Sequence, residues 1–104
     1  MLMYNVIVLS SAHKDIDDIY NFCNNISISY ALKVRSKIRQ SIQSLKYFPF
    51  INPLYAVLEN EIFRKHIVAK RYLIIFSVIG QTIVVFRIID GRRNIKPTDL
   101  FKTN

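Results

Sequence analysis

The chain has 104 residues, 51% of them apolar, with two glycines and three prolines, the makeup of one folded globule; it is too short for a separate catalytic lobe and too apolar for a disordered tail. Fifteen Lys and Arg oppose seven Asp and Glu, and a net charge of +8 on so small a chain calls for a polyanion or an acidic protein as partner. The single cysteine, Cys23, excludes an intramolecular disulfide and a cysteine zinc framework.

Residues 4–9 are apolar and β-branched and end at a Ser10-Ser11 pair suited to capping a helix, so they read as a first strand. The opening MLMYNVIVLSS has no basic n-region, and no secretory signal is expected. From Ala12 to about Asn25, apolar Ile16, Ile19, Tyr20, Cys23 and Ile26 recur at helical spacing, with Asp15, Asp17 and Asp18 towards the amino end, where the helix dipole favours them. The polar run from Asn24 to Ser29 breaks that helix. A second follows, with Ala31, Val34, Ile38, Ile42 and Leu45 as its apolar stripe and Lys33, Arg35, Lys37 and Arg39 on its basic face. Pro49 and Pro53 stop it near Phe48 and introduce a loop.

Three further strands are predicted over residues 61–69, 72–79 and 81–90, the last two joined by the tight Gly80-Gln81 connection. The longest apolar run, residues 73–79, is far short of the roughly 20 residues a membrane span needs. The expectation is a soluble, cytoplasmic, single domain over residues 1–104. Its class is α+β, two layers in the order β-α-α-β-β-β, with a helical hairpin on one face of a mainly antiparallel sheet and the other face open.

Strand alternation puts Arg64 and His66 on one side of residues 61–69 and Phe63, Lys65 and Ile67 on the other, without fixing which side meets solvent. Arg92 and Arg93 follow the last strand on a glycine turn. They suit either a solvated strand end that discourages edge pairing or a fixed pair of cations for recognition. The basic face of the second helix is a solvated face or a contact for a partner. His13 reads as a surface residue, Cys23 as core packing, and the dispersed tyrosines form no stacking platform. No metal-ligand cluster, phosphate loop or Ser-His-Asp set is visible, so neither metal nor cofactor is expected.

Four stretches in order, YNVIVLSSAHKDIDDIY, SLKYFP, RKHIVAKRYLIIFSV and IVVFRIIDGRRNI, followed by Leu100-Phe101, resemble the RelE/ParE toxin superfamily of type II toxin-antitoxin modules. The GRR-[DN] ending is closest to the ParE and plasmid-stabilisation branch. That resemblance implies a toxin that inhibits DNA gyrase and is neutralised by a cognate acidic antitoxin, with operator DNA reached only through the antitoxin. It assigns target binding to Arg87, Arg92, Arg93, Lys96 and Phe101, and antitoxin binding to the face of Lys33, Arg35, Lys37 and Arg39. The RelE branch offers the alternative of a metal-independent, ribosome-dependent mRNA endoribonuclease, with Arg64, His66 and Arg93 in the positions of its basic residues. Leu73 stands where that branch has an arginine, and Phe101, nearest to its terminal tyrosine, has no hydroxyl for proton transfer. A toxin fold without either activity is the third reading.

Overall fold

The computed structural model of the protein describes residues 3–93 and 95–101. Strand β1, Asn5–Val8, leads into helix α1, Ser10–Asn24, and helix α2, Ile28–Ser44. A 3-10 turn at Pro49–Ile51 precedes β2, Leu54–Leu58, β3, Glu61–Val68, β4, Tyr72–Ile79, and β5, Thr82–Asp90, and a short helix α3, Pro97–Leu100, follows. The five strands form one sheet in the order β1-β5-β4-β3-β2, antiparallel except that β1 runs parallel to β5. This is the expected α+β architecture with one strand more. Residues 54–58, read as loop, pair with β3. Their signal was hidden by Pro53 on one side and by a hairpin turn, Glu59-Asn60, that reaches positive φ at both residues without the usual glycine.

The helical hairpin packs as its stripes require. Ala12, Ile16 and Cys23 of α1 and Ala31, Val34, Ile38 and Ile42 of α2 bury against Val68, Tyr72, Ile74, Phe76, Ile83, Val85 and Ile88 of the sheet. Cys23 lies in this core, 3.7 Å from the Tyr72 hydroxyl, and burial pushes that hydroxyl up to about 12. Ser27 caps α2 by accepting the Tyr30 N–H at 3.0 Å. The Ser10-Ser11 pair does not cap α1. Both serines lie inside the helix, Leu9 occupies the cap position, and the Ser11 hydroxyl donates to the Phe86 carbonyl at 2.6 Å.

The opposite sheet face is not open as expected. Phe63, Ile75, Ile89 and Leu100 form a second, smaller core there, with Tyr55, Leu73, Phe86, Ile95 and Phe101 packed around it. Residues 95–101 therefore fold back as a cover. Little in the chain foreshadows this, because a four-residue helix is too short to show a period.

Candidate functional site

The turn after β5, which carries Arg92 and Arg93, is held by a network of hydrogen bonds. The Asp90 carboxylate accepts two hydrogen bonds from the Arg71 guanidinium, at 3.1 and 2.9 Å, and one from the Arg92 backbone N–H at 3.0 Å. Gly91 donates its N–H to the Arg71 carbonyl at 2.7 Å, and Arg93 donates its own to the Asp90 carbonyl at 3.0 Å. One carboxylate thus ties the start of β4 to the end of β5 and fixes the backbone that carries Arg92 and Arg93. Both arginines are exposed. Arg92 also lies 3.5 Å from Asp90, whereas Arg93 has no ion pair among the described residues. Asn94, the next residue of the quoted motif, lies outside the described residues.

Two outcomes test this turn. A Cβ at Gly91 would stand 2.8 Å from the Arg71 carbonyl oxygen, a backbone atom that cannot swing aside. Gly91→Ala should therefore cost about 1–3 kcal/mol in urea denaturation, the range for overpacking a tight site. Burial by itself raises the Asp90 pKa, but the bonds from Arg71 and from the Arg92 N–H outweigh it and hold the carboxyl below its ordinary value. The unfolded chain then binds more protons than the folded one on acidification. The contribution is whole above the unfolded value of about 3.9 and is lost as pH falls through the lower folded value. Asp90→Asn should be less stable than the parent at pH 7 by about 2 kcal/mol, and its lower Tm should approach the parent's at the acid end of a Tm-against-pH series.

Arg87 does not stand free to meet a target. Its guanidinium donates to both oxygens of Asp15 at 2.7 and 3.0 Å and to the Leu100 carbonyl at 2.7 Å, and the bonds to Asp15 raise its pKa further. Asp15 also accepts the Ile88 N–H at 2.9 Å. This internal strut joins α1, β5 and α3. Phe101 is likewise committed to packing, its ring stacked 4.6 Å from Phe63 and set edge-on to Phe86 at 5.7 Å. Lys96 is exposed at the start of α3.

Arg64 and His66 alternate with the core residue Val68 and so lie on the helical side of the sheet, beside the 3-10 turn. Arg64 donates to the Asn52 carbonyl at 2.8 Å and lies over Phe50, and His66 Nδ1 bonds Asn52 Oδ1 at 2.7 Å. Desolvation lowers the His66 pKa. Arg93, by contrast, lines a cavity of about 910 Å³ between α1 and the end of β5, and neither Arg64 nor His66 borders it. The structure does not gather the three residues into one site. On α2, Lys33, Lys37 and Arg39 are exposed, while Arg35 is half-buried over the Tyr20 ring at 4.3 Å.

Sequence reasoning missed Asp15, Arg71 and Asp90, which organise the arginines. For Asp15 a signal was present. Unlike Asp17 and Asp18, it falls between Ala12 and Ile19 at the spacing of the buried stripe, so its carboxylate had to turn inward. Among the described residues no three of His, Cys, Asp and Glu come together as a metal site, and no helix is long and apolar enough to cross a membrane.

The likenesses of the chain agree with this architecture. Over residues 6–95 it matches the family described as the ParE toxin of the type II toxin-antitoxin system parDE. Among solved structures it is similar to a chain of the chromosomal ParDE system from P. aeruginosa, at 21% identity and a TM-score of 0.71, over 85% of this chain and 96% of that one. It is also similar to a chain of the toxin-antitoxin complex RelBE2 from Mycobacterium tuberculosis, at 14% identity and a TM-score of 0.62, over 89% of this chain and 97% of that one. No protein of curated function matches it. The structural likenesses carry the fold, the family match spans nearly the whole of it, and the chain belongs to the ParE toxin family of type II toxin-antitoxin systems.

Proposed function

We propose that the chain is a toxin that inhibits DNA gyrase by binding it, through the turn that carries Arg92 and Arg93, and that an acidic antitoxin neutralises it and is its only route to operator DNA. The observation that carries this reading is the separation of the candidate catalytic groups. RNA cleavage through the ribose 2′-hydroxyl needs a base, a cation on the developing phosphorane and an acid within reach of one phosphate. Here Arg64 and His66 are tied to Asn52 while Arg93 lines the cavity beside α1. Two exposed guanidiniums on a braced turn, away from His66, suit recognition of carboxylates or phosphates. Expression of the chain with plasmid supercoiling and transcript integrity followed in parallel tests it. Loss of supercoiling with intact transcripts is expected, and transcript cleavage with normal supercoiling would overturn it.

One observation favours the nuclease as a second reading. Asn52 donates through Nδ2 to the Pro49 carbonyl at 3.0 Å, so its Oδ1 is left to accept from His66 Nδ1–H. The ring then carries its lone pair on Nε2, the arrangement of an oriented base next to Arg64. Under that reading His66→Ala abolishes transcript cleavage; under the first it leaves growth arrest unchanged.

A further inference from the structure

The β3-β4 hairpin turns at residues 68–71, closed by the Arg71 N–H donating to the Val68 carbonyl at 3.1 Å. Its two central residues, Ala69 and Lys70, stand at φ of +54° and +56°, the left-handed region that glycine or asparagine fills in such turns. The flanking pair of Val68 with Tyr72 holds the turn in that strained form, so the exposed Lys70 is presented at a fixed place. The turn after β5 lies beside it. Tyr72 pairs with Asp90, Gly91 donates its N–H to the Arg71 carbonyl, and the Arg71 guanidinium grips the Asp90 carboxylate. One end of the sheet therefore carries Lys70, Arg92 and Arg93 on two turns that are bonded to each other.

Charge of one sign is left over there. Asp90 is the one carboxylate among residues 69–71 and 90–93, and it is committed to Arg71 and to the Arg92 N–H. Lys70 and Arg93 have no ion pair among the described residues, and the Arg92 contact with Asp90 is long, at 3.5 Å. The acids of α1 do not cancel this charge, since Asp15 is held by Arg87 and Asp18 by Lys14. Neither turn exposes a large apolar side chain. Protein interfaces are enriched in aromatic residues and depleted in lysine, whereas contacts to a nucleic-acid backbone are made by lysine and arginine. We propose that this end of the sheet grips the phosphate backbone of duplex DNA, with Lys70, Arg92 and Arg93 each on a phosphate. The proposal deepens the gyrase reading and rests on it for the place of the contact, the DNA that gyrase holds. The guanidiniums suit phosphate through paired hydrogen bonds and the ammonium as a point charge, and the net charge of +8 draws the polyanion in. A backbone grip reads no bases, so operator choice stays with the antitoxin.

The test measures binding of the purified full chain to short labelled DNA duplexes of two unrelated sequences, by fluorescence anisotropy over a salt series. The parent should bind both alike, and the logarithm of the binding constant should fall against the logarithm of salt with a slope of about −2.7, or about −0.9 for each of three phosphates. Lys70→Gly puts at φ +56° the residue that such a backbone favours, so it should fold, and its slope should flatten to about −1.8. Arg92→Ala/Arg93→Ala should reach about −0.9. Arg39→Gln removes one exposed charge from α2, about 13 Å along the helix from Tyr30 by its rise per residue, and should keep the parent's slope. No binding to duplex at low salt, an unchanged slope for Lys70→Gly, or an equal loss in Arg39→Gln would overturn the grip. So would weaker binding of Lys70→Gly to DNA-free gyrase with its hold on duplex intact, which would make the partner a protein surface. The expected slopes beside unhindered supercoiling would support the grip and overturn the gyrase reading, whereas inhibited supercoiling without duplex binding would overturn the grip alone.

Discussion

Asp15→Ala should lose about 3 kcal/mol of folding stability, a large share of the 5–15 kcal/mol that holds a domain of this size together. The carboxylate is 13% exposed and accepts three hydrogen bonds, two from Arg87 and one from the Ile88 N–H. Removing it leaves a largely buried guanidinium without its counter-charge and a strand N–H without an acceptor, the costly kind of deletion. Because Arg87 keeps 30% exposure and its bond to the Leu100 carbonyl, the loss falls at the lower end of the range for broken buried pairs. Asp15→Asn, which retains an oxygen acceptor but not the charge, should fall between the two. Urea denaturation of the three proteins measures it. Equal midpoints for parent and Asp15→Ala would mean that the strut contributes nothing and that α1 is held by its apolar stripe alone.

The second large effect is on toxicity and leaves stability almost untouched. Arg92→Ala/Arg93→Ala should weaken target binding at least 100-fold, about 2.7 kcal/mol, since interface arginines with bidentate partners are frequent hot spots. Arg93→Lys should also lose affinity, because an ammonium cannot reproduce the fork of two parallel hydrogen bonds. The fold should tolerate these changes. Arg93 is exposed and has no ion pair among the described residues, and the Arg92 contact to Asp90 is long and 68% exposed on the arginine side, so each contributes about 0.5 kcal/mol or less. Growth arrest at matched protein levels, with melting curves beside it, separates the two effects.

The parts of the fold governed by period were legible in the sequence, and the parts governed by side-chain partnership were not. Ile16, Cys23, Val34 and Ile38 recur at helical spacing and lie in the core, and the β4-β5 hairpin follows from its apolar runs and Gly80. β2 escaped because it is a short edge strand with exposed Leu54 and Val57, whose hairpin turn is made by Glu59 and Asn60 at positive φ. The site was legible in its charges only. The pair Arg92-Arg93 stood out on a glycine turn, but the clamp beneath it joins Arg71 to Asp90 across 19 positions of sequence, and no local pattern encodes that. Arg87 illustrates the same limit. It reads as the one basic residue on an apolar strand and, by the resemblance, as a target contact, until Asp15, 72 positions away, is seen to receive it.

Under the proposed function, the chain acts on gyrase by binding, with the turn after β5 as the contact. A supercoiling assay with purified gyrase and relaxed plasmid, run with the parent chain and with Arg92→Ala/Arg93→Ala at equal concentration, tests it most directly. The expected result is inhibition by the parent, none by the double variant, and superimposable melting curves for the two proteins. Undiminished supercoiling in the presence of the parent, or equal inhibition by a folded double variant, would contradict the account.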